Sequence, residues 1–151
     1  MNDNPGIIAP PPLLYLSALA AGFAISMFEP ILSFPLPVRV SGLLIFVMSG
    51  IFARWSFVAM KKIGTSANPR KRSEALTTDG PFRFSRNPIY LAMTGLYVGI
   101  ALLGNAFWPL IFLSPLLAVM HRGVILREER YLEREFGESY LAYKSKTSRW
   151  L

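Results

Sequence analysis

The apolar residues of this sequence occur in long blocks that are separated by charged or proline-rich stretches. A helix needs about 20 mostly apolar residues to cross the hydrocarbon core of a bilayer. The longest block, residues 38–60, meets that length with Arg39 and Arg54 as its charges. We therefore predict an all-α integral membrane protein with about four transmembrane helices and a C-terminal cytoplasmic helical segment. The four spans are expected near residues 13–28, 38–60, 88–103 and 106–122.

The composition supports this fold class and excludes several kinds of site. Of 151 residues, 52% are hydrophobic and 17% are charged, which is more apolar than an ordinary soluble domain. The length fits a single domain over residues 1–151. The chain has no cysteine and one histidine. A disulfide, a thiolate metal site and a multi-histidine metal centre within one chain are therefore excluded, and we predict no metal.

The basic residues flank the apolar blocks, and their placement bears on both partner and orientation. The net charge is +7. Charges beside apolar segments fit anionic lipid headgroups better than nucleic acid, which we do not expect as a partner. Most lysines and arginines fall in the loop 61–87 or in the segment 123–151. Since cytoplasmic loops are enriched in basic residues, we predict that both regions and both termini lie in the cytoplasm.

Residues 77–90 form a polar, basic and aromatic run between two apolar blocks. An asparagine side chain can accept a hydrogen bond from a free backbone N–H at a helix N-terminus, and proline suits the first helical position. Asn87-Pro88 therefore predicts the start of a helix that Asn87 caps. The positive end of that helix, with Arg83 and Arg86, indicates a docking site for an anionic group at the membrane boundary.

The charged segment 121–136 predicts a helix that ends at Gly137. Glu128 and Glu129 lie three and four residues after the apolar position Ile125. Residues at this spacing share a helix face, so we predict that one carboxylate points inward. The alternative is a solvated surface helix that is stabilised by pairs of opposite charge. The tyrosines of this region fit interfacial aromatics better than catalytic phenols. They are Tyr131, Tyr140 and Tyr143.

Several motifs follow one another in the C-terminal half of the chain. They are Gly80-Pro81-Phe82, Ser85-Arg86-Asn87-Pro88-Ile89-Tyr90, Arg127-Glu128-Glu129-Arg130-Tyr131-Leu132, Phe136-Gly137-Glu138-Ser139-Tyr140 and Tyr143-Lys144. In this combination the chain resembles the isoprenylcysteine carboxyl methyltransferase and phospholipid methyltransferase superfamily of integral membrane enzymes. The resemblance covers residues 74–151, and the first half of the chain matches only as membrane helices.

The resemblance implies S-adenosylmethionine as cofactor, held at the cytoplasmic end of the bundle and partly enclosed by the C-terminal segment. The cofactor-binding positions that it implies are Glu74, Ala75, Leu76, Thr77, Phe82, Arg86, Asn87, Pro88, Ile89, Tyr90, Glu128 and Glu129. Arg122 and Arg127 are the candidates for substrate binding. No single catalytic residue is identified, and the candidates are Arg86, Asn87, His121 and Glu128.

The sequence departs from the family pattern at two positions. Asn87 stands where the best-known members carry histidine in an Arg-His-Pro-x-Tyr motif, and an asparagine cannot act as a titrating acid or base. Val124 stands nearest to the position of a substrate-binding arginine in the eukaryotic carboxyl methyltransferases. We therefore expect no histidine-dependent proton transfer at position 87, and the identity of the methyl acceptor stays open.

Together these features predict an integral membrane methyltransferase that transfers a methyl group from S-adenosylmethionine to a lipophilic acceptor. The acceptor candidates are a phospholipid amine, an isoprenoid or prenylated carboxylate, and a small hydrophobic thiol or phenol. One alternative is an NADPH-dependent membrane reductase of the steroid or sterol reductase type, which has a similar membrane architecture and a basic, tyrosine-rich C-terminus. The other is a non-enzymatic membrane scaffold. The oligomeric state is not predicted.

Overall fold

A computed structural model of the chain describes residues 5–64 and 75–151. All regular secondary structure in these ranges is helical, and no strand occurs in them. The helices are α1 (Pro11–Phe28), α2 (Leu36–Lys62), α3 (Pro88–Leu103), α4 (Trp108–Met120), α5 (Leu126–Phe136) and α6 (Glu138–Lys146). A 3₁₀ turn, Gly80–Arg83, precedes α3, and a π-helical turn, His121–Ile125, joins α4 to α5. The predicted site residue Glu74 lies outside the described residues.

Three helices are long and apolar enough to cross a membrane. They are α1, α2 and the continuous helix Trp108–Phe136, with 18, 27 and 29 residues. The apolar helix α3 has 16 residues and is shorter than an unaided span requires. The predicted all-α integral membrane fold is therefore confirmed, while the count of four spans stays a prediction.

The helices pack in two close pairs, α2 with α3 and α1 with α4. Glycines set the distance in both pairs. A Cβ atom added at Gly22 of α1 would lie 2.6 Å from the Cα atom of Pro109 in α4. A Cβ atom added at Gly99 of α3 would lie 2.8 Å from the backbone nitrogen of Phe46 in α2. Small residues of this kind let membrane helices approach until their backbones touch.

The buried core lies where α1, α3 and α4 meet, and tyrosine hydroxyls in it find partners on neighbouring helices. The hydroxyl of Tyr15 in α1 lies 2.8 Å from the Thr94 hydroxyl oxygen in α3. Tyr97 donates to the Pro109 carbonyl at 2.7 Å. Because a buried hydroxyl without a partner is costly, these bonds fix how the apolar helices are placed against each other.

The helix α3 begins at Pro88, the position that the sequence predicts for its start. The predicted capping bond of Asn87 is wrong, because its side chain forms no hydrogen bond to the helix. Its amide group, Nδ2, donates instead to the carbonyl oxygen of Arg149 at 3.0 Å. The C-terminal residues lie across the start of α3 and present a main-chain acceptor there. Asn87 therefore attaches the end of the chain to α3 rather than capping the helix.

The π-helical turn joins the apolar helix α4 to the charged helix α5. A π-helical turn changes the rotational register of the helix that follows it, and such turns are frequent at functional sites. The N-terminal segment covers this turn, since the Ile8 amide donates to the Gly123 carbonyl at 3.2 Å. After the turn, α5 presents Glu129 to the interior, with 5% of the residue exposed. The prediction of an inward carboxylate on this helix is confirmed.

Candidate active site

The first turn of α3 and the charged helix α5 are joined by a hydrogen bond between two side chains. The Tyr90 hydroxyl donates to the Glu128 Oε1 atom at 2.7 Å. Tyr90 is buried, and the same tyrosine belongs to the core formed with α1 and α4. Two of the predicted cofactor-binding residues are thus in direct contact, although 38 positions separate them in the sequence.

Glu129 lies at the centre of a compact charged cluster. Arg149 binds both of its carboxylate oxygens, with Nε donating to Oε1 at 2.8 Å and Nη2 donating to Oε2 at 2.9 Å. On the α3 side, Nη1 of Arg86 lies 3.1 Å from Oε1. The exposed fractions of the side chains are 6% for Glu129, 9% for Arg86 and 31% for Arg149. Two cations therefore surround one buried carboxylate, which leaves the cluster with an excess of positive charge.

The guanidinium group of Arg86 has unused hydrogen-bonding capacity. Both Nε and Nη1 are buried, and within residues 5–64 and 75–151 neither has a hydrogen-bond partner. The 3.1 Å contact with Glu129 is an ion pair that lacks the direction of a hydrogen bond. Buried donors without partners cost free energy, and such groups are rare in native structures. An anionic group of a ligand would satisfy them.

The tyrosines of α6 complete this end of the site. Tyr140 is 1% exposed, and burial together with the nearby Glu129 carboxylate raises its pKa to about 12. The Tyr143 hydroxyl donates to the Phe82 carbonyl at 2.7 Å, and burial raises the pKa of this tyrosine as well. Tyr131 is 3% exposed. The prediction that these tyrosines are interfacial aromatics is therefore wrong, because all three are buried in protein, Tyr131 on α5 and the other two on α6.

The segment before the 3₁₀ turn borders a cavity of about 190 Å³. Leu76 and Thr77 line it from one side, and the C-terminal end of α2 lines it from the other with Trp55 and Lys62. The Thr77 hydroxyl oxygen is buried and has no hydrogen-bond partner in the described residues. Ala75, which precedes this segment, is half-buried. Arg86, Glu129 and Arg149 are not among the residues that line this cavity.

The structure does not gather every predicted site residue into this cluster. Arg127 is exposed, and its Nη1 atom donates to the Gly6 carbonyl at 2.7 Å, which attaches the N-terminal segment to α5. Arg122 is exposed in the π-helical turn, and the neighbouring His121 is half-buried. The predicted roles of Arg122 and Arg127 in substrate binding, and of His121 in catalysis, stay predictions.

Sequence reasoning missed the contribution of Arg149 and of Ser85. Ser85 is fully buried, and its hydroxyl donates to the Arg149 carbonyl at 3.2 Å. Arg149 lies in a short tail after α6, where no helical periodicity relates it to Glu129. No feature of the sequence could have identified this contact, which depends on the path of the folded chain.

The sequence of the chain matches one known protein family. Residues 38–139 match the family model described as phospholipid methyltransferase, and the match covers more than half of the chain. The chain belongs to the phospholipid methyltransferase family. The predicted superfamily resemblance is thereby confirmed, and the protein is an integral membrane methyltransferase. No curated protein and no solved structure matches the chain.

The matched range of this phospholipid methyltransferase contains the start of α3 and the Glu128-Glu129 pair of α5. It ends before α6 closes over the 3₁₀ turn, so Tyr140 and Arg149 lie beyond it. The methyltransferase therefore completes its charged cluster with residues from outside the matched range.

Proposed function

We propose that the protein transfers a methyl group from S-adenosylmethionine to a lipophilic acceptor, in the manner of an isoprenylcysteine carboxyl methyltransferase. The observation that carries this proposal is the buried guanidinium of Arg86 beside the carboxylate of Glu129. Its Nε and Nη1 atoms have no hydrogen-bond partner among residues 5–64 and 75–151. The amino-acid end of S-adenosylmethionine carries a carboxylate and an ammonium group. One anion receptor next to one carboxylate suits such a pair of charges.

The charges and hydrogen-bonding groups of the cluster are complementary to the groups of the cofactor. Arg86 would hold the cofactor carboxylate, because a guanidinium binds carboxylates with charge-assisted hydrogen bonds. Glu129 would accept from the ammonium group, and Glu128 would accept from a ribose hydroxyl. Phe82 and Tyr90 are aromatic groups beside these charges, and an aromatic face attracts a cation such as a sulfonium. The helix dipole at the start of α3 adds positive potential for the carboxylate.

The segment that borders the cavity fits the same proposal. Leu76 and Thr77 line the cavity next to the 3₁₀ turn, and the Thr77 hydroxyl has no hydrogen-bond partner in the part of the chain that the structure describes. The resemblance assigns Glu74, Ala75, Leu76 and Thr77 to cofactor binding. We propose that the described members of this segment contact the cofactor through backbone groups and through the Thr77 hydroxyl.

For methyl transfer from a sulfonium, the main task of the protein is to align the donor with the acceptor. S-adenosylmethionine supplies a methyl group on a sulfonium, which is an activated leaving group for an in-line displacement by the acceptor. The chain's own residues hold the donor, exclude water and set the direction of approach. Asn87 is engaged with the Arg149 carbonyl and supplies no acid or base. An acceptor that must lose a proton would need His121 or solvent for that step.

We propose that the acceptor enters from the bilayer and that the site faces the cytoplasm. The helix α2 exposes apolar side chains along its length, among them Leu44, Val47 and Ile51. These side chains are a surface for lipid, so an acceptor with a hydrophobic tail would reach the start of α3 without leaving the membrane. The acceptor classes are a phospholipid amine, an isoprenoid or prenylated carboxylate, and a hydrophobic thiol or phenol.

Ligand calorimetry on the detergent-purified protein tests the cofactor assignment. We expect binding of S-adenosylhomocysteine, the demethylated form of the cofactor, and no binding of NADPH. Arg86→Ala should lower the S-adenosylhomocysteine affinity by about tenfold or more, because it removes a charge-assisted contact. Arg83→Ala is the matched control, since this arginine lies three residues earlier, is exposed at the end of the 3₁₀ turn and should leave the affinity unchanged.

The outcomes separate the three functions considered. Binding of NADPH alone would show a reductase instead of a methyltransferase of this mechanism. If Arg86→Ala and Glu129→Gln leave the S-adenosylhomocysteine affinity unchanged, the proposed pocket is wrong and a scaffold without chemistry gains support. Transfer of a labelled methyl group into a total lipid and small-molecule extract, followed by identification of the labelled product, then names the acceptor.

A further inference from the structure

The last residues of the chain, 147–151, are attached to the start of α3 through their main chain, and we call them the C-terminal strap. The Arg86 amide donates to the Ser148 carbonyl at 2.9 Å. The Ser85 hydroxyl and the Asn87 side-chain amide both donate to the Arg149 carbonyl, at 3.2 and 3.0 Å. These three bonds form a main-chain clamp, which does not depend on the side chains of the strap.

The side chain of Trp150 provides a second anchor for the strap. It packs against the buried core cluster that contains Tyr15 and Tyr90. The clamp and this apolar contact hold the strap on both sides of position 149. The guanidinium of Arg149 can therefore move while the strap stays attached.

Both oxygens of the Glu129 carboxylate already have a cationic partner inside the protein. Both of its oxygens accept from Arg149, and 6% of the side chain is exposed. An ammonium group of a ligand would have to compete with Arg149 for these oxygens. Of the two arginines beside Glu129, Arg149 is 31% exposed and has access to solvent, whereas Arg86 is 9% exposed. Arg149 is the arginine that can leave.

We propose that Arg149 is an internal substitute for the cationic group of the ligand, which neutralises Glu129 in the empty protein and is displaced when the ligand's ammonium group binds. This inference rests on the proposed function and adds a form of regulation to it. Arg86 is an ion-pair partner of Glu129 without a directed hydrogen bond, so in the empty site the hydrogen bonds to this buried carboxylate come from Arg149. The same cation competes with the ligand and lowers its apparent affinity, because only molecules with Arg149 displaced can bind.

The experiment compares two ligands on the full-length protein in detergent by calorimetry. S-adenosylhomocysteine carries the ammonium group, and methylthioadenosine lacks the whole amino-acid end. Arg149→Ala should tighten S-adenosylhomocysteine binding by about fivefold, the size expected for a partly exposed charge pair, and should leave methylthioadenosine binding unchanged. Lys146→Ala removes the same charge from an exposed position on α6 and should change neither affinity.

Weaker or unchanged binding of S-adenosylhomocysteine by Arg149→Ala would overturn the proposal, since Arg149 would then belong to the ligand cradle or lie outside it. Equal tightening of both ligands would also overturn it, because the effect would not depend on the ammonium group. If the wild-type protein binds S-adenosylhomocysteine, these results leave the proposed function intact. If the wild-type protein binds neither ligand, the proposed function and this inference both fail.

A second measurement separates displacement of the side chain from unfolding of the strap. Trp55→Phe and Trp108→Phe leave Trp150 as the single tryptophan, so its fluorescence reports whether the strap stays packed. In this background, Arg149→Ala should leave the Trp150 emission unchanged. A shift of the emission towards longer wavelength would show that the strap has detached, and the proposed displacement within an attached strap would be overturned.

Discussion

Tyr90 and Glu128 lie on different helices, and the hydroxyl of the first donates to the carboxylate of the second at 2.7 Å. Tyr90 also connects to α1, because the Tyr15 hydroxyl donates to its carbonyl at 3.4 Å. The same residue thus joins the first membrane helix, the start of α3 and the charged helix α5. The position of Glu128 is therefore coupled to the packing of the apolar helices.

Tyr90→Phe should destabilise the protein by about 1 to 3 kcal/mol, because it leaves a buried carboxyl group without its hydrogen-bond donor. Chemical denaturation in detergent, followed by circular dichroism, measures the change in the free energy of unfolding. Glu128→Ala removes the acceptor oxygen, so a double-mutant cycle with Tyr90→Phe reports the coupling between the two side chains. Additive effects in that cycle would show that the bond contributes nothing to stability.

The fold class could be predicted from the sequence because a long apolar block can fold stably in few ways, chiefly as a membrane helix. Residues 38–60 are covered by the single helix α2, which the length and apolar character of the block dictate. The start of α3 was equally accessible, since proline at position 88 favours a first helical residue. Both features depend on neighbours in the sequence, and local chemistry determines them.

The candidate site was only partly accessible. The family motifs identified Arg86 and Glu129, and the structure brings them within 3.1 Å of each other. Arg149 carried no motif, and its pairing with Glu129 across 20 positions depends on how α6 and the strap fold back. The function of Asn87 was misjudged for the same reason. Local rules predict a helix cap, but the tertiary path of the C-terminus offers its side chain a main-chain carbonyl instead.

Replacing Asn87 and Ser85 together should loosen the C-terminal strap, because both side chains donate to the Arg149 carbonyl. Each bond is worth about 1 kcal/mol, so Asn87→Ala with Ser85→Ala should raise the rate of tryptic cleavage after Lys146 by about tenfold or more. Mass spectrometry of the truncated chain measures this rate. Ser139→Ala changes an exposed serine of α6 and serves as the control. Equal cleavage of all variants would mean that these donors do not hold the strap.

Gly22→Ala should destabilise the pair of α1 and α4 by about 1 to 3 kcal/mol, as overpacking of a close contact does. The added methyl group would lie 2.6 Å from the Cα atom of Pro109, and this backbone atom cannot move aside as a side chain does. Gly50→Ala is the matched control within α2, because among the described residues no atom apart from the surrounding helix backbone lies within 4 Å of the added Cβ there. Thermal unfolding in detergent compares the two variants. A similar loss in both would point to helix backbone effects instead of packing.

Stability should fall at alkaline pH in a way that depends on Tyr140. Burial and the Glu129 carboxylate raise the pKa of this tyrosine to about 12 in the folded protein, whereas an unfolded tyrosine ionises near pH 10. The folded state therefore holds the proton more tightly. The contribution of protonated Tyr140 to stability is fully present below pH 10 and is lost as the pH rises from about 10 to about 12.

Tyr140→Phe removes this ionisation and should flatten that part of the profile of unfolding free energy against pH. The variant should be less stable than the wild type at neutral pH, because the phenol loses its contact with Arg86. The difference between the two proteins should then shrink as the pH rises above about 10, since only the wild type carries the ionisable phenol. Denaturation in detergent across this pH range measures both trends, and parallel profiles would show that Tyr140 ionises normally in the folded protein.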